Sequence, residues 1–286
     1  MRQQTFKLVA LDIDGTVLDS SGHVSRRLKR ALALLARRDV RTVLCTGRRW
    51  RTTLPVMGEI ENAHALAVCC GGALIKDGTD NRTYHAIPLP RRAARHVAEA
   101  MRGKDLVPFI LLDRDAGERE LLISDLDRAH AADLPYVKSN EEFVEYYPGE
   151  FPKLAEPVLV VYTMDEVRRV SAAQQPLQRK LAGESTLTAM HQGRYGAAQW
   201  ALEAHGIRAT KWNALRWLLK RWRVPARQVV AIGDDVNDIP MLRAAGMSFA
   251  MGNAVPAVKR VASRTTTSND EDGVVEALCS VFGMQA

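Results

Sequence analysis

The strongest constraint on this chain is a set of short, wholly apolar runs that each stop at a polar cluster. Leu8-Val9-Ala10-Leu11 stops at Asp12-Ile13-Asp14-Gly15-Thr16, and Val40 to Cys45 stops at Thr46-Gly47-Arg48. Val229-Val230-Ala231-Ile232 stops at Gly233-Asp234-Asp235-Val236-Asn237-Asp238. An apolar run of this length without alternation reads as a strand covered on both faces, as in a parallel sheet. Strands are predicted at Lys7–Leu11, Val40–Cys45, Ala65–Cys70, Val229–Ile232 and Met247–Met251. Helical spacing between them, such as Leu28, Leu32 and Leu35 behind a capping Ser25, and a helix over Asp238–Ala245, makes βαβ units. The fold class that follows is α/β, one doubly wound, mostly parallel sheet.

The middle of the chain breaks the alternation. A helix (Arg91–Met101), strands (Val107–Asp113 and Glu120–Ser124), a Pro- and acid-rich stretch around 133–157, a strand (Val158–Thr163), a helix (Glu166–Leu181) and strands near Leu187 and Trp200 follow in turn. Helices and paired strands in that order predict an α+β module inserted in the core. Its predicted bounds are 84–205, leaving 1–83 and 206–286 for the core.

Composition excludes several classes. No apolar run approaches the roughly 18–20 residues of a membrane span, so no membrane partner is expected. The four cysteines have no CxxC spacing and sit mostly in apolar runs, which suits free thiols and a cytoplasmic location. A net charge of +7 would suit nucleic acid or a phosphorylated metabolite equally. The basic residues fall in separate helical clusters such as Arg26-Arg27-Leu28-Lys29-Arg30, which read as solvated faces, so no nucleic-acid partner is expected. The seven histidines form no ligand pair, and no GxSxG or P-loop is present.

The polar clusters carry the chemistry. Asp12 and Asp14 close the first strand, where positions two apart share a face, so both carboxylates are expected to point at one site beyond its C-terminal edge. A plain Asp-Gly turn is the competing reading. Thr46-Gly47-Arg48 offers a hydroxyl and free backbone N–H groups for an anion, or an ordinary Gly turn. Lys211 sits at a helix start, where the macrodipole disfavours a cation; an anionic ligand would explain it, as would simple solvation. Three acids within Asp234–Asp238 repel one another unless a cation is present. An oxygen-only set favours Mg²⁺ over a mere helix cap.

Taken in order, DxDGT, TGR, the lysine and GDDxND resemble the motifs of the haloacid dehalogenase superfamily, and the insertion after the third strand is similar to its Cof-type phosphatases. Met251-Gly252-Asn253-Ala254 and Thr267 to Val274 resemble late signatures of the same family. The resemblance implies a Rossmann-like core with a cap domain over which substrate specificity is distributed, and Mg²⁺-dependent hydrolysis of phosphate monoesters of small metabolites through an aspartyl-phosphate. It implies Asp12 as nucleophile and Asp14 as general acid and base. Mg²⁺ would be held by Asp12, the Asp14 carbonyl and Asp234. Thr46, Gly47, Lys211 and Asn237 would bind the phosphate, and Thr16, Arg48, Asp235 and Asp238 would support them. A phosphomutase, a phosphonate- or halide-cleaving relative and a silent phospholigand-binding regulator are the alternatives; Asp14 argues against dehalogenation. Oligomeric state carries no signal in the sequence. Two positions depart from the family pattern: Gly71 stands where an Asn is frequent, and Trp212 follows the lysine where a Gly is usual. Arg194, Tyr195 and Trp200 are candidates for substrate contact near the cap's return strands, with an ordinary surface or core role as the favoured reading for each.

Overall fold

The computed structural model describes residues 6–60, 66–115, 117–191 and 198–285. The chain folds as two compact units, Met1–His85 with Thr210–Ala286, and Ala86–Ala209. Arg194 and Tyr195 lie outside the described residues.

The first unit opens with β1 (Leu8–Leu11), α1 (Arg26–Ala36), β2 (Arg41–Cys45), α2 (Trp50–Glu59), β3 (Leu66–Cys69), β4 (Leu74–Asp77) and β5 (Thr83–Ala86). Every residue of β1 is buried, the outcome its unbroken apolar sequence demands. Ser25 caps α1 by accepting the Leu28 N–H at 3.0 Å, and Leu28, Leu32 and Leu35 face inward. Strands β4 and β5 escape the sequence reading because Leu-Ile-Lys-Asp and Thr-Tyr-His-Ala are short and partly charged.

The inserted unit holds α3 (Arg91–Arg102), β6 (Phe109–Leu112), β7 (Leu121–Ser124), α4 (Arg128–Ala132), α5 (Pro135–Lys138), β8 (Val144–Tyr147), β9 (Val158–Glu166), α6 (Val167–Lys180), β10 (Ser185–His191) and β11 (Gln199–Gly206). Its sheet runs β10-β11-β9-β6-β7-β8, antiparallel except for the β7–β8 pair. The acid-rich stretch around 133–157 contains α5 and β8; β8 is an edge strand, Val-Glu-Tyr-Tyr, with no apolar run to betray it. Alternate residues of this sheet (Ile110, Leu122, Val161, Leu202) pack with Val97, Met101, Val170 and Leu177 of α3 and α6. Trp200 packs against that same core. The unit therefore has a hydrophobic centre of its own.

The chain then returns through α7 (Lys211–Trp222), β12 (Val229–Gly233), α8 (Ile239–Ala244), β13 (Met247–Ala250), α9 (Pro256–Lys259), β14 (Arg264–Thr265) and α10 (Gly273–Phe282). The eight-stranded sheet has the order β14-β13-β12-β1-β2-β3-β4-β5, parallel from β14 to β3, with β4 antiparallel to β3. β1 pairs in register with β12 on one side and β2 on the other. Three polar clusters are thereby brought side by side at one edge of the sheet.

Gly72 shows how closely α7 is set against that edge. A Cβ there would lie 2.2 Å from the Thr210 carbonyl and 2.7 Å from the Lys211 nitrogen, and its φ of +108° is already hostile to other residues. Gly22 has φ +82° and nothing within 4 Å of a built Cβ. Gly72→Ala is expected to destabilise the protein by roughly 2–4 kcal/mol, against about 1–2 kcal/mol for the strain alone in Gly22→Ala. Urea titrations of the two variants check this, and equal losses would remove the case for a sterically limiting contact at Gly72.

Candidate active site

Asp12 is the residue on which the clusters converge. Its N–H still pairs with the Ile232 carbonyl at 3.1 Å, and its side chain is buried. The strand ends there. Ile13–Val17 forms a tight turn broken by extended ψ at Asp14 and by Gly15 at φ +71°. The expectation that Asp12 and Asp14 share a strand face is therefore corrected: Asp14 lies in the turn, outside the period-two geometry that the argument required. Its largely exposed carboxylate is gripped by Arg48, whose Nε and Nη2 donate at 2.8 and 2.6 Å. Gly15 is forced by proximity, because a Cβ would lie 2.4 Å from Asp234 Oδ2. Thr16 Oγ1 donates to Asp234 Oδ1 at 3.2 Å.

Lys211 opens α7 with 1% of its surface exposed. Its Nζ donates to Asp12 Oδ1 and to Asp238 Oδ1, both at 2.7 Å. A cation at a helix start is thus explained by two buried carboxylates of the protein itself. Thr210 caps the helix by accepting the Asn213 N–H at 3.1 Å, so the half-buried Trp212 leaves the helix start intact. Asp238 is fully buried and fully engaged: Oδ1 takes Lys211, and Oδ2 takes the backbone N–H groups of Asp234 and Asp235 at 3.0 and 3.2 Å. Gly233 is needed for this fit, since a Cβ there would sit 2.4 Å from the Asp238 carboxyl carbon. Asp235 forms a capping box with Asp238, which is the bland helix-cap reading realised alongside the charged one.

Thr46 is fully buried at the end of β2, and its Oγ1 accepts the Arg48 N–H at 3.0 Å. Gly47 follows it, half-buried. Asn237 is half-buried in the turn Val236–Asp238. At Gly71, φ is +62°, and the preceding Cys70 also takes a left-handed φ of +51°. Asn253, for which the sequence reading gave no role, donates from Nδ2 to the Gly15 carbonyl at 2.9 Å. Its segment resembled a family signature, but a contact across 238 residues has no local signal.

The electrostatics follow from one lysine among three acids. Carboxylate oxygens of Asp12, Asp234 and Asp238 lie within 4.8 Å of one another. Burial would push Lys211 down, but Asp12 and Asp238 outweigh it and hold the ammonium protonated. Burial, and then the charge of Asp238, pushes Asp12 up against the pull of Lys211. The same two causes push Asp234 up to about 7. The arrangement is short of positive charge, and the oxygen-only donor set suits a hard divalent cation. Asp238 already accepts three hydrogen bonds through its two oxygens, so Asp12 and Asp234 are the less engaged carboxylates of the three. The Cys45 thiol is buried beside this site, and burial raises it far out of reach of ionisation near neutrality, so it is an inert neighbour.

The family model for haloacid dehalogenase-like hydrolases matches residues 9–278. The phosphatase YwpJ of Bacillus subtilis is 27% identical over 288 aligned positions, covering 95% of this chain and 98% of the relative. The Escherichia coli 5-amino-6-(5-phospho-D-ribitylamino)uracil phosphatase YbjI is 27% identical, covering 99% and 98%. A haloacid dehalogenase-like hydrolase from Bacteroides thetaiotaomicron superposes with a TM-score of 0.77 at 25% identity, covering 97% of this chain and all of that one. With the match running through both halves of the divided core and the insertion between them, the chain belongs to the haloacid dehalogenase-like hydrolases, an enzyme family in which its relatives are named phosphatases.

Proposed function

We propose that this hydrolase removes phosphate from small phosphorylated metabolites, sugar phosphates or similar monoesters, through an aspartyl-phosphate on Asp12 and with Mg²⁺ as cofactor. The observation that carries this reading is the buried Asp12–Lys211–Asp238 triad at the sheet edge. A carboxylate nucleophile can meet a phosphate dianion only where positive charge is already in place, and phosphoryl transfer is catalysed chiefly by such positioning. The E. coli relative is named for a phosphorylated ribityl compound, which supports a phosphate on a polyol chain as the substrate class.

Lys211, the Thr46 hydroxyl and the backbone at Gly47, with Asn237, are proposed to bind the phosphoryl oxygens. Asp12 attacks phosphorus, the ester P–O bond breaks, and Asp14 passes a proton to the departing oxygen. Water, deprotonated by Asp14, then attacks the acyl phosphate, releasing orthophosphate and restoring the Asp12 carboxylate. Arg48 aligns Asp14 through both its oxygens, so one of those bonds must loosen while Asp14 carries the proton and can re-form once the proton has been passed on. Asp12, the Asp14 carbonyl and Asp234 would hold Mg²⁺, which supplies charge neutralisation for the phosphoryl oxygens. Asp238 and Asp235 support that set through Lys211 and the capping box.

Hydrolysis of p-nitrophenyl phosphate with Mg²⁺ tests the nucleophile. Asp12→Asn is expected to lower kcat by on the order of 10⁴-fold while remaining folded by circular dichroism, since an amide oxygen can still accept from Lys211. Activity within tenfold of wild type would sink Asp12 as the nucleophile.

The metal proposal has a reading independent of turnover. Asp234, raised to about 7, contributes metal-free stability that is present below the ordinary carboxylate range and lost as pH rises through about 7. A bound cation requires that carboxylate deprotonated, so Mg²⁺ competes with a proton at pH 6 and with almost none at pH 8. Millimolar Mg²⁺ is expected to raise Tm more at pH 8 than at pH 6. Equal shifts at the two pH values, or none, would count against Asp234 as a ligand.

A further inference from the structure

The late segments around Asn253 and Thr267–Val274 have no part in the chemistry above, yet they reach the turn that follows Asp12 and carries Asp14. β12, β13 and β14 stand side by side beyond β1, and a side chain just past each of them is tied to that turn. After β12, Asp234 accepts from Thr16 at 3.2 Å. After β13, Asn253 Nδ2 donates to the Gly15 carbonyl at 2.9 Å. After β14, Asn269 Nδ2 donates to the Leu18 carbonyl at 2.9 Å. The two amides are joined, since the Asn269 N–H donates to Asn253 Oδ1 at 3.1 Å. The next residue, Asp270, accepts the Ser20 N–H at 2.7 Å.

The loop that carries Asn253 is itself fixed. The Gly252 N–H donates to the Thr267 carbonyl at 2.8 Å, and the Val255 N–H to the Asp234 carbonyl at 3.0 Å. The turn needs such ties. With extended ψ at Asp14 and a left-handed Gly15, it cannot continue a regular ladder, and its backbone closure is the Leu18 N–H to the Ile13 carbonyl at 3.0 Å. Fixing the Gly15 carbonyl fixes the plane of the peptide that follows Gly15, one residue after Asp14. A displacement of about 1 Å in a reacting group can cost a hundredfold in rate.

We propose that Asn253 and Asn269 are positioning residues, a relay of two amides that acts through the Gly15 and Leu18 carbonyls to hold the turn in the conformation that presents Asp12 and Asp14. The kinetic part of this rests on the reading of Asp12 and Asp14 as the reacting groups; the tether itself does not.

Hydrogen exchange and kinetics on the full chain separate the two. In Asn253→Ala and Asn269→Ala, amides of residues 13–20 are expected to exchange roughly tenfold faster, the effect of one lost hydrogen bond, while those of β12 keep their wild-type rates. With p-nitrophenyl phosphate and Mg²⁺, kcat is expected to fall by about tenfold, with KM within about twofold. Asn253→Asp keeps the acceptor for Asn269 but cannot donate to Gly15, so it is expected to match the Ala variant in exchange. Unchanged exchange at 13–20 overturns the proposal, as does a rise that extends equally into β12, which would make the two residues general stabilisers. A fall in kcat without faster exchange at 13–20 overturns it too. If the wild-type protein hydrolyses nothing, the exchange result still decides the tether, and the failure belongs to the proposed function alone.

Discussion

A lysine ammonium buried between two carboxylates is the interaction around which the first unit is arranged. Removing Lys211 Nζ from water costs several kcal/mol, and its attraction to Asp12 and Asp238 offsets that only because both contacts are short and direct. Each contact makes demands on distant parts of the chain. Asp12 must sit at the end of β1, Asp238 must fold back over Gly233, and α7 must begin against Gly72. Two glycines are therefore dictated by an ion pair rather than by backbone turns alone. Breaking one partner would leave a charge buried without compensation, a change that typically costs ~3–5 kcal/mol.

The same arrangement is not self-sufficient. Asp234 and Asp12 share the space with Asp238, and one lysine does not balance three carboxylates. A fold selected for stability alone would have little reason to keep Asp234 there, since burial and repulsion push its carboxyl towards the neutral form. Strain of this kind persists where function requires it. In the proposed reaction the deficit is made up by a cation, and the negative charge of the substrate is met by Lys211.

The parallel core was legible in the chain because buried strands write themselves as unbroken apolar runs, as in Leu8–Leu11 and Val229–Ile232, and because Ser25 announces a helix start chemically. The strands that sequence missed lie at or next to sheet edges. β4, β5 and β8 are four residues each and carry Lys76, Asp77, His85 or Glu145, so no periodicity rises above the surrounding loops. In the site, the residue types were readable from the motifs, but their orientation was not. Asp14 was read as facing the same way as Asp12, yet the strand stops one residue before Asp12 and the turn directs the Asp14 carboxylate to Arg48. For Lys211 the sequence left an anionic ligand and simple solvation both open; the side chain is buried, and the anions it meets are Asp12 and Asp238.

The GDDxND segment shows why competing readings of an acidic cluster need not exclude each other. Asp235 and Asp238 make a capping box, and Asp238 also receives Lys211 with its other oxygen. Capping fixes the side chain through backbone N–H groups that would be ordered in any case, so the carboxylate oxygen facing Lys211 is held at little additional entropic cost. Asp234, the acid outside the box, is the one left with its charge largely unmet. At a strand end followed by a short helix, then, the acids that cap are the scaffold, and the one that does not cap is the candidate ligand.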